Sequence, residues 1–302
     1  MRLLFYGLLI CTSILWAGNF VAGKFLVGHA SPLTLTTMRW AVAILVLLPI
    51  VRIFDGKLLP QKKALLPLFL MGLTGVVFFN IFMFLALERT SADNVGLLSA
   101  LNPVAIAIAS FLLLKETMSS RQMTGMLVSL AGVLLVISHG NLQRLLEFRF
   151  NTGDLFMLAA VGTWGLYAVA GRKAMACVSP YMSTLWAGIF GVLTLLPFNL
   201  PNLEVRNPDL AFWIATGYVS VGATVLAMVF WNIGVQRVGG TKAGMFLNFN
   251  PIFTAILAYV FLGELMTWIQ VAGTVLVIGG VYLFTTRSKR QVPVAKGQSE
   301  AA

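Results

Sequence analysis

Two asparagine–proline pairs, Asn102-Pro103 and Asn250-Pro251, fall near the middle of long apolar runs. Inside a helix such a proline removes one backbone hydrogen bond and displaces the carbonyl four residues back, here those of Ser99 and Leu247. In lipid a freed carbonyl needs a partner unless it lines a wet cavity. A kink satisfied by a neighbouring helix is the plain alternative. The matched placement of both pairs, each with an amide alongside, favours a cavity wall with hinges at Pro103 and Pro251. The chemistry on offer is recognition by neutral hydrogen-bonding groups.

Helical geometry at 100° per residue extends that wall. Val95, Leu98, Ser99, Asn102 and Ala109 share one stripe, and Ala243, Phe246, Asn250 and Thr254 another. Asn248 points the other way and reads as a helix–helix contact. Trp16, Asn19, Phe20 and Gly23 share a face, as do Trp164, Tyr167, Ala168 and Gly171. Both tryptophans sit too deep in their runs to be interfacial anchors, and a buried indole N–H wants a partner. Asn80, Met83, Phe84 and Leu87 form a further face beside Phe79, and Met228, Asn232 and Gln236 another. Intramembrane amides serve equally as glue between helices and as ligand contacts. Arg39 is the one basic side chain well inside a run; it must be paired or hydrated, and a tether to a helix end or to carbonyls at a gate is expected.

Several chemistries find no foothold. Glu88, Asp93, Glu116, Asp154, Asp209 and Glu264 all fall at the edges of runs, so no intramembrane carboxylate relay for protons is offered. His29 and His139 lie in loops, and neither a zinc-protease helix, a nucleophile elbow nor a phosphate-binding glycine loop is present. No metal, nucleotide or other cofactor is implied, and no catalytic residue.

The elements that position these residues are legible in composition. The chain is 59% hydrophobic and 10% charged, with a mean hydropathy of +0.89, far from the roughly 25% charge of soluble proteins. Ten continuous apolar runs lie near 4–25, 32–54, 64–86, 92–112, 121–138, 152–173, 180–198, 210–232, 240–262 and 267–286. Each suits a helix crossing about 30 Å of hydrocarbon, and their continuity excludes a β-barrel. With the N-terminus inside, fifteen Lys and Arg residues fall in cytoplasmic segments and five in outer ones. The net charge of +11 is therefore the positive-inside pattern rather than a nucleic-acid surface, and both termini are expected in the cytoplasm. Cys11 and Cys177 imply no disulfide framework. The first run has a mid-chain copy and is read as a retained helix, not a leader.

The copy is general. Shifting the chain by 148 positions aligns Trp16 with Trp164, Ser31-Pro32 with Ser179-Pro180, Asn102-Pro103 with Asn250-Pro251 and Gly132 with Gly280, without a gap. Five spans per unit is an odd number, so the second unit is inverted in the membrane relative to the first. The expected fold is an all-α membrane protein of ten transmembrane helices, two inverted five-helix repeats around a central cavity. Repeat one covers 1–138, a loop 139–151, repeat two 152–286 and a disordered cytoplasmic tail 287–302. Ser119-x-x-Gln122 and Thr267-x-x-Gln270 fit capping boxes opening spans five and ten. Gly125, Gly132, Gly273 and Gly280 allow those spans to pack closely on neighbours.

With Trp16-Ala-Gly-Asn19, Ser31-Pro32 followed by Arg39, Asn102-Pro103 through Glu116 to Gln122-x-x-Gly125, and the second-half Asn250-Pro251, Gly263-Glu264 and Gln270-x-x-Gly273, the chain resembles the drug/metabolite transporter superfamily. It is similar to the EamA-type ten-helix exporters within it, and most similar to the YddG-type exporters of aromatic and other amino acids. The first half departs in reading Lys115-Glu116 where the second reads Gly263-Glu264. The resemblance implies a basket in which spans one, three, four, six, eight and nine surround the cavity while five and ten pack outside. It implies a multi-pass protein of the bacterial inner membrane that exports small metabolites, amino acids foremost, by alternating access, as a monomer. Trp16, Phe79, Trp164, Tyr167 and Phe246 would then contact the substrate side chain. Asn19, Asn80, Asn102, Asn250 and the Ser99 carbonyl would hold its polar ends, with Met83 and Asn232 completing the wall. An exporter of apolar drugs is the nearest alternative; a membrane enzyme or binding protein is the alternative of another class.

Overall fold

In lipid every backbone N–H and C=O must be satisfied within the segment, which leaves apolar runs of this length little choice but helix. The computed structural model describes residues 2–90, 92–138, 151–262 and 268–286. Their helices are α1 (Arg2–Leu26), α2 (Pro32–Asp55), α3 (Lys62–Arg89), α4 (Ala92–Ser99), α5 (Asn102–Leu114), α6 (Ser120–Ser138), α7 (Thr152–Ala174), α8 (Pro180–Asn199), α9 (Leu210–Val238), α10 (Gly240–Gly244), α11 (Asn250–Leu262) and α12 (Trp268–Thr285). Six of them, α1, α2, α3, α7, α8 and α9, are individually long and apolar enough to cross a bilayer.

The helix starts follow local chemistry. Ser31 and Ser179, 148 positions apart, each accept a backbone N–H three residues on, from Thr34 at 3.2 Å and Met182 at 3.0 Å. Each is followed by a proline in the first turn, where its missing N–H is no loss. The Ser119–Gln122 box is reciprocal: Gln122 N donates to Ser119 Oγ, and Ser119 N donates to Gln122 Oε1 at 2.9 Å. The Thr267-x-x-Gln270 copy lies outside the described residues. A second box, Asn151 with Asp154, opens α7.

The expected fourth span is not one continuous helix. It breaks at Ala100–Leu101, between α4 and α5. The ninth is α10, a 3₁₀ turn over Met245–Phe249, then α11. Pro103 therefore stands in the first turn of α5 rather than inside a helix, the position its fixed φ and absent N–H suit. The carbonyl expected to be freed at Leu247 accepts the Asn250 N–H.

α3 and α9 share a different interruption. Gly72–Phe78 and Tyr218–Leu226 are π-helical, and a shift of 148 overlays the first on the second. A π segment inserts an extra residue into a turn and frequently marks a functional site.

Packing runs between the halves. α1 lies on α9 and its copy α7 on α3; α11 lies on α1 and its copy α5 on α7; α2 lies on α8, and α6 on α12. Each pairing reproduces itself under the shift, as contacts across a two-fold axis must. The glycines make it concrete. A Cβ on Gly125 would lie 2.8 Å from the Gly280 carbonyl oxygen, and one on Gly132 would lie 2.6 Å from that of Gly273. Without side chains there, α6 and α12 touch backbone to backbone.

Candidate functional site

Where α1, α2, α3, α7, α9 and the two broken spans meet, they enclose a cavity of about 40 Å³. Its wall is Trp16, Asn19, Phe20, Arg39, Trp40, Gly75, Phe79, Asn80, Asn102, Trp164, Met228, Leu247 and Asn250. Trp16 and Trp164, copies of each other, meet edge to face at 5.1 Å and 89°. Phe79 packs on Trp164 at 4.9 Å, and Trp231 lies 5.5 Å from Trp16 and 5.6 Å from Trp164. Such aromatic pairs contribute beyond their buried area, so this wall is stiff.

Asn102 and Asn250 enter as the first residues of α5 and α11. Both are buried and both amide oxygens lack a hydrogen-bond partner, as does Asn19 Oδ1. Asn19 Nδ2 is directed at the Met83 sulfur, 3.6 Å away. The indole N–H groups of Trp164 and Trp40 are also buried without partners. Unpaired polar atoms in protein interiors are rare, since each forgoes about 1–3 kcal/mol. Here five of them belong to residues that line one cavity.

The two indoles differ for a local reason. Trp16 Nε1 donates to the Ala223 carbonyl at 2.9 Å, within the π segment of α9. The equivalent acceptor for Trp164 is Gly75, 148 positions earlier. That carbonyl already accepts Asn80 Nδ2 at 3.0 Å, as Val76 does at 2.9 Å. Asn80 has Met228 as its copy, which cannot compete for Ala223. One amide thus leaves the Trp164 N–H unclaimed.

The sequence predicts Arg39 as a tether to a helix end or to carbonyls at a gate; in the structure it lines the cavity and its partners are side chains. It donates from Nε to Thr224 Oγ1 at 2.6 Å and from Nη1 to Asn80 Oδ1 at 2.9 Å. Thr224 Oγ1 is itself anchored on the Val219 carbonyl at 2.6 Å. Trp40, Phe20, Gly75, Met228 and Leu247 also belong to the wall. Phe20 and Met228 lay on sequence-read stripes without being singled out. Trp40 has Gly188 as its copy, and the indole sits 2.8 Å from where a Cβ there would stand.

Of the candidates, Trp16, Asn19, Phe79, Asn80, Asn102, Trp164 and Asn250 border the cavity. Met83, Ser99, Tyr167, Asn232 and Phe246 stand behind it. The Ser99 hydroxyl donates to the Gly96 carbonyl at 2.7 Å, and the break after α4 takes this turn off the stripe drawn for a continuous helix. The Tyr167 hydroxyl donates to Asn232 Oδ1 at 3.2 Å, and Asn232 Nδ2 donates to Thr184 Oγ1 at 2.9 Å. Tyr167 keeps its ring stacked on Trp164 at 4.8 Å. The Phe246 ring faces Tyr6 at 5.1 Å. Asn248 donates to Ser129 Oγ at 2.8 Å, an interhelical contact as expected.

The arrangement can bind, but among the described residues no nucleophile–base pair and no carboxylate lines it. At about 10–15 Å³ for each water it holds only a few waters, so anything larger enters by movement of the wall.

Comparison with known proteins agrees with a membrane carrier. The EamA-like transporter family matches this sequence twice, over residues 3–138 and 151–286. "Uncharacterized transporter YyaM" of Bacillus subtilis (strain 168) is 30% identical over 91% of this chain and 92% of its own. "Uncharacterized inner membrane transporter YicL" of Salmonella typhimurium is 26% identical over 95% and 96%. A solved crystal structure superposes with a TM-score of 0.76 at 19% identity, covering 94% of this chain and 98% of the other, a likeness of fold alone.

Proposed function

Because the chain belongs to the EamA-like transporter family, we propose that this membrane transporter exports small zwitterionic metabolites, foremost aromatic and other neutral amino acids. The route is alternating access between two inverted five-helix halves in the bacterial inner membrane, with both termini cytoplasmic. In this reading the protein works as a YddG-type exporter. One observation carries the reading: five residues that line one cavity hold buried polar atoms without partners, acceptors on Asn19, Asn102 and Asn250 and donors on Trp40 and Trp164. A substrate with an ammonium and a carboxylate supplies both kinds of partner, and Trp16, Phe79 and Trp164 offer its side chain an aromatic surface. An apolar drug would leave all five polar atoms unsatisfied.

The reciprocal contacts between the halves support the mechanism. If the halves exchange conformations, a closed cavity opens first to one side and then to the other. With no carboxylate in the wall, efflux runs down the substrate gradient and needs no proton relay.

The test is counterflow of labelled amino acids into proteoliposomes. Uptake is expected with equal pH on both sides, and Asn102→Ala or Trp164→Phe is expected to reduce it about tenfold, one lost hydrogen bond to a charged group. Uptake that collapses without a pH gradient removes the gradient-driven mechanism. No counterflow across a panel of neutral amino acids removes the substrate class.

A further inference from the structure

The charge of Arg39 is unanswered. Arg39 is 6% exposed two turns into α2, where an isolated guanidinium is costly. Its partners, Asn80 and Thr224, are neutral. Both are held by π-segment carbonyls, at Gly75 and Val76 in α3 and at Val219 in α9. They orient the guanidinium and leave its charge intact. Nη2 has no hydrogen-bond partner among the described residues, and the cavity wall contains no Asp or Glu. A guanidinium held at Nε and Nη1 with Nη2 uncommitted keeps donors for a carboxylate.

The network is one-sided. Under the shift of 148 that relates the halves, Arg39 corresponds to Ala187, Asn80 to Met228 and Thr224 to Val76. Every polar member has an apolar counterpart. The cavity therefore carries one fixed positive charge at one place in its wall, and a substrate that places a carboxylate there cancels it.

We propose that Arg39 is the specificity-determining residue of this transporter, binding the substrate carboxylate, with Asn80 and Thr224 as its positioning residues. The proposal rests on the transport reading for the cavity's role and goes beyond it in fixing the substrate's obligatory group. An amine without a carboxylate leaves Arg39 uncompensated and is rejected. A carboxylate without an amine is accepted, because charge cancellation occurs at Arg39 and the amide oxygens stand apart from it.

Two measurements on the purified full-length protein test this. In detergent, thermal stabilisation is titrated with phenylalanine, phenethylamine and 3-phenylpropionate, and with the corresponding leucine series. In proteoliposomes, the same compounds compete against counterflow of the labelled amino acid. The wild type should respond to amino acid and acid at concentrations at least tenfold below those needed for the amine. Arg39→Gln should weaken both carboxylates about 10- to 100-fold, the loss of one charge-assisted contact, and leave the amine unchanged. Arg39→Lys should recover part of the preference. The wild-type preference reads the proposal even if Arg39→Gln does not fold. An amine as effective as its amino acid, no stabilisation by any carboxylate, or an unchanged order in Arg39→Gln overturns the assignment. Carboxylate-dependent stabilisation without counterflow overturns the transport reading and leaves Arg39 in place; counterflow with equal competition by amines does the reverse.

Discussion

Gly279 and Gly280 are neighbours on α12 with opposite surroundings, and a methyl group added to each separates the packing from everything else. At Gly279 a Cβ would meet nothing within 4 Å. At Gly280 it would stand 2.5 Å from the Ser129 backbone nitrogen and 2.6 Å from the Gly125 carbonyl oxygen. Neither atom can rotate aside as a side chain would. Restoring ordinary contact moves α12 off α6 by about 1 Å, which also loosens the Gly132–Gly273 approach further along the same face. Overpacking of this kind costs about 1–3 kcal/mol. Alanine at Gly279 instead removes backbone entropy from the unfolded chain and gains about 0.5–1 kcal/mol. Gly280→Ala is therefore expected to lower the apparent melting temperature in detergent while Gly279→Ala holds or raises it. Gly132→Ala, whose Cβ would lie 2.6 Å from the Gly273 carbonyl oxygen, should follow Gly280→Ala. Equal effects at the two adjacent positions would refute the backbone contact, and with it the two-fold pairing of α6 on α12.

Tyr167→Phe removes the donor to Asn232 Oδ1 and strands that oxygen, at a cost of about 1–3 kcal/mol; melting should fall while the half-saturating substrate concentration in counterflow stays put. Asn151→Ala undoes the capping box of α7 and should cost about 0.5–2 kcal/mol in the same melting assay, with Asn151→Ser retaining most of the stability. Asn80→Met makes the two halves alike at this position, freeing the Gly75 carbonyl for the Trp164 indole. One net hydrogen bond, about 0.5–1.5 kcal/mol, shifts a two-state population about 2- to 10-fold, so labelling of a cysteine placed in the cavity from the two membrane faces should change by that ratio. An unchanged ratio counts against the exchange of indole partners.

The sequence carries the helices well because their ends are chemical. Ser31-Pro32, Ser179-Pro180 and Ser119-x-x-Gln122 mark starts that the structure places at α2, α8 and α6. The duplication carries the wall, since Trp16, Trp164, Asn102 and Asn250 are paired by register alone. What it does not carry is the break before each Asn-Pro. A stripe drawn at 100° per residue assumes a continuous helix, so Ser99 and Phe246 were aligned with residues that lie beyond the interruption. The π segments are equally silent, because Gly72–Phe78 and Tyr218–Leu226 are ordinary apolar sequence with glycine in it. Their effect is to turn the remainder of α3 and α9, which brings Asn80 to Arg39 and carries Asn232 away from the wall toward Thr184. Arg39 is conspicuous in the sequence as a lone intramembrane arginine, but its place in the cavity wall depends on Asn80 and Thr224, which the sequence does not bring to it.

On the mechanism we propose, two inverted halves face a tension between moving and recognising. Motion between two equivalent states is easiest when the halves match, and the matched features here are those that pack: the tryptophan pair, the broken spans, the π segments and the glycine faces of α6 and α12. Recognition of an asymmetric molecule needs the halves to differ. One such difference is the network of Arg39, Asn80 and Thr224 that joins α2, α3 and α9, and the same Asn80 withholds an acceptor from Trp164. Asn80 therefore bears both on the charge the cavity presents, through Arg39, and on the unpaired indole of Trp164. On the alternating-access mechanism we propose, a substrate that satisfies the two together would change the balance between the states by the contacts that select it, coupling binding to movement without a separate trigger.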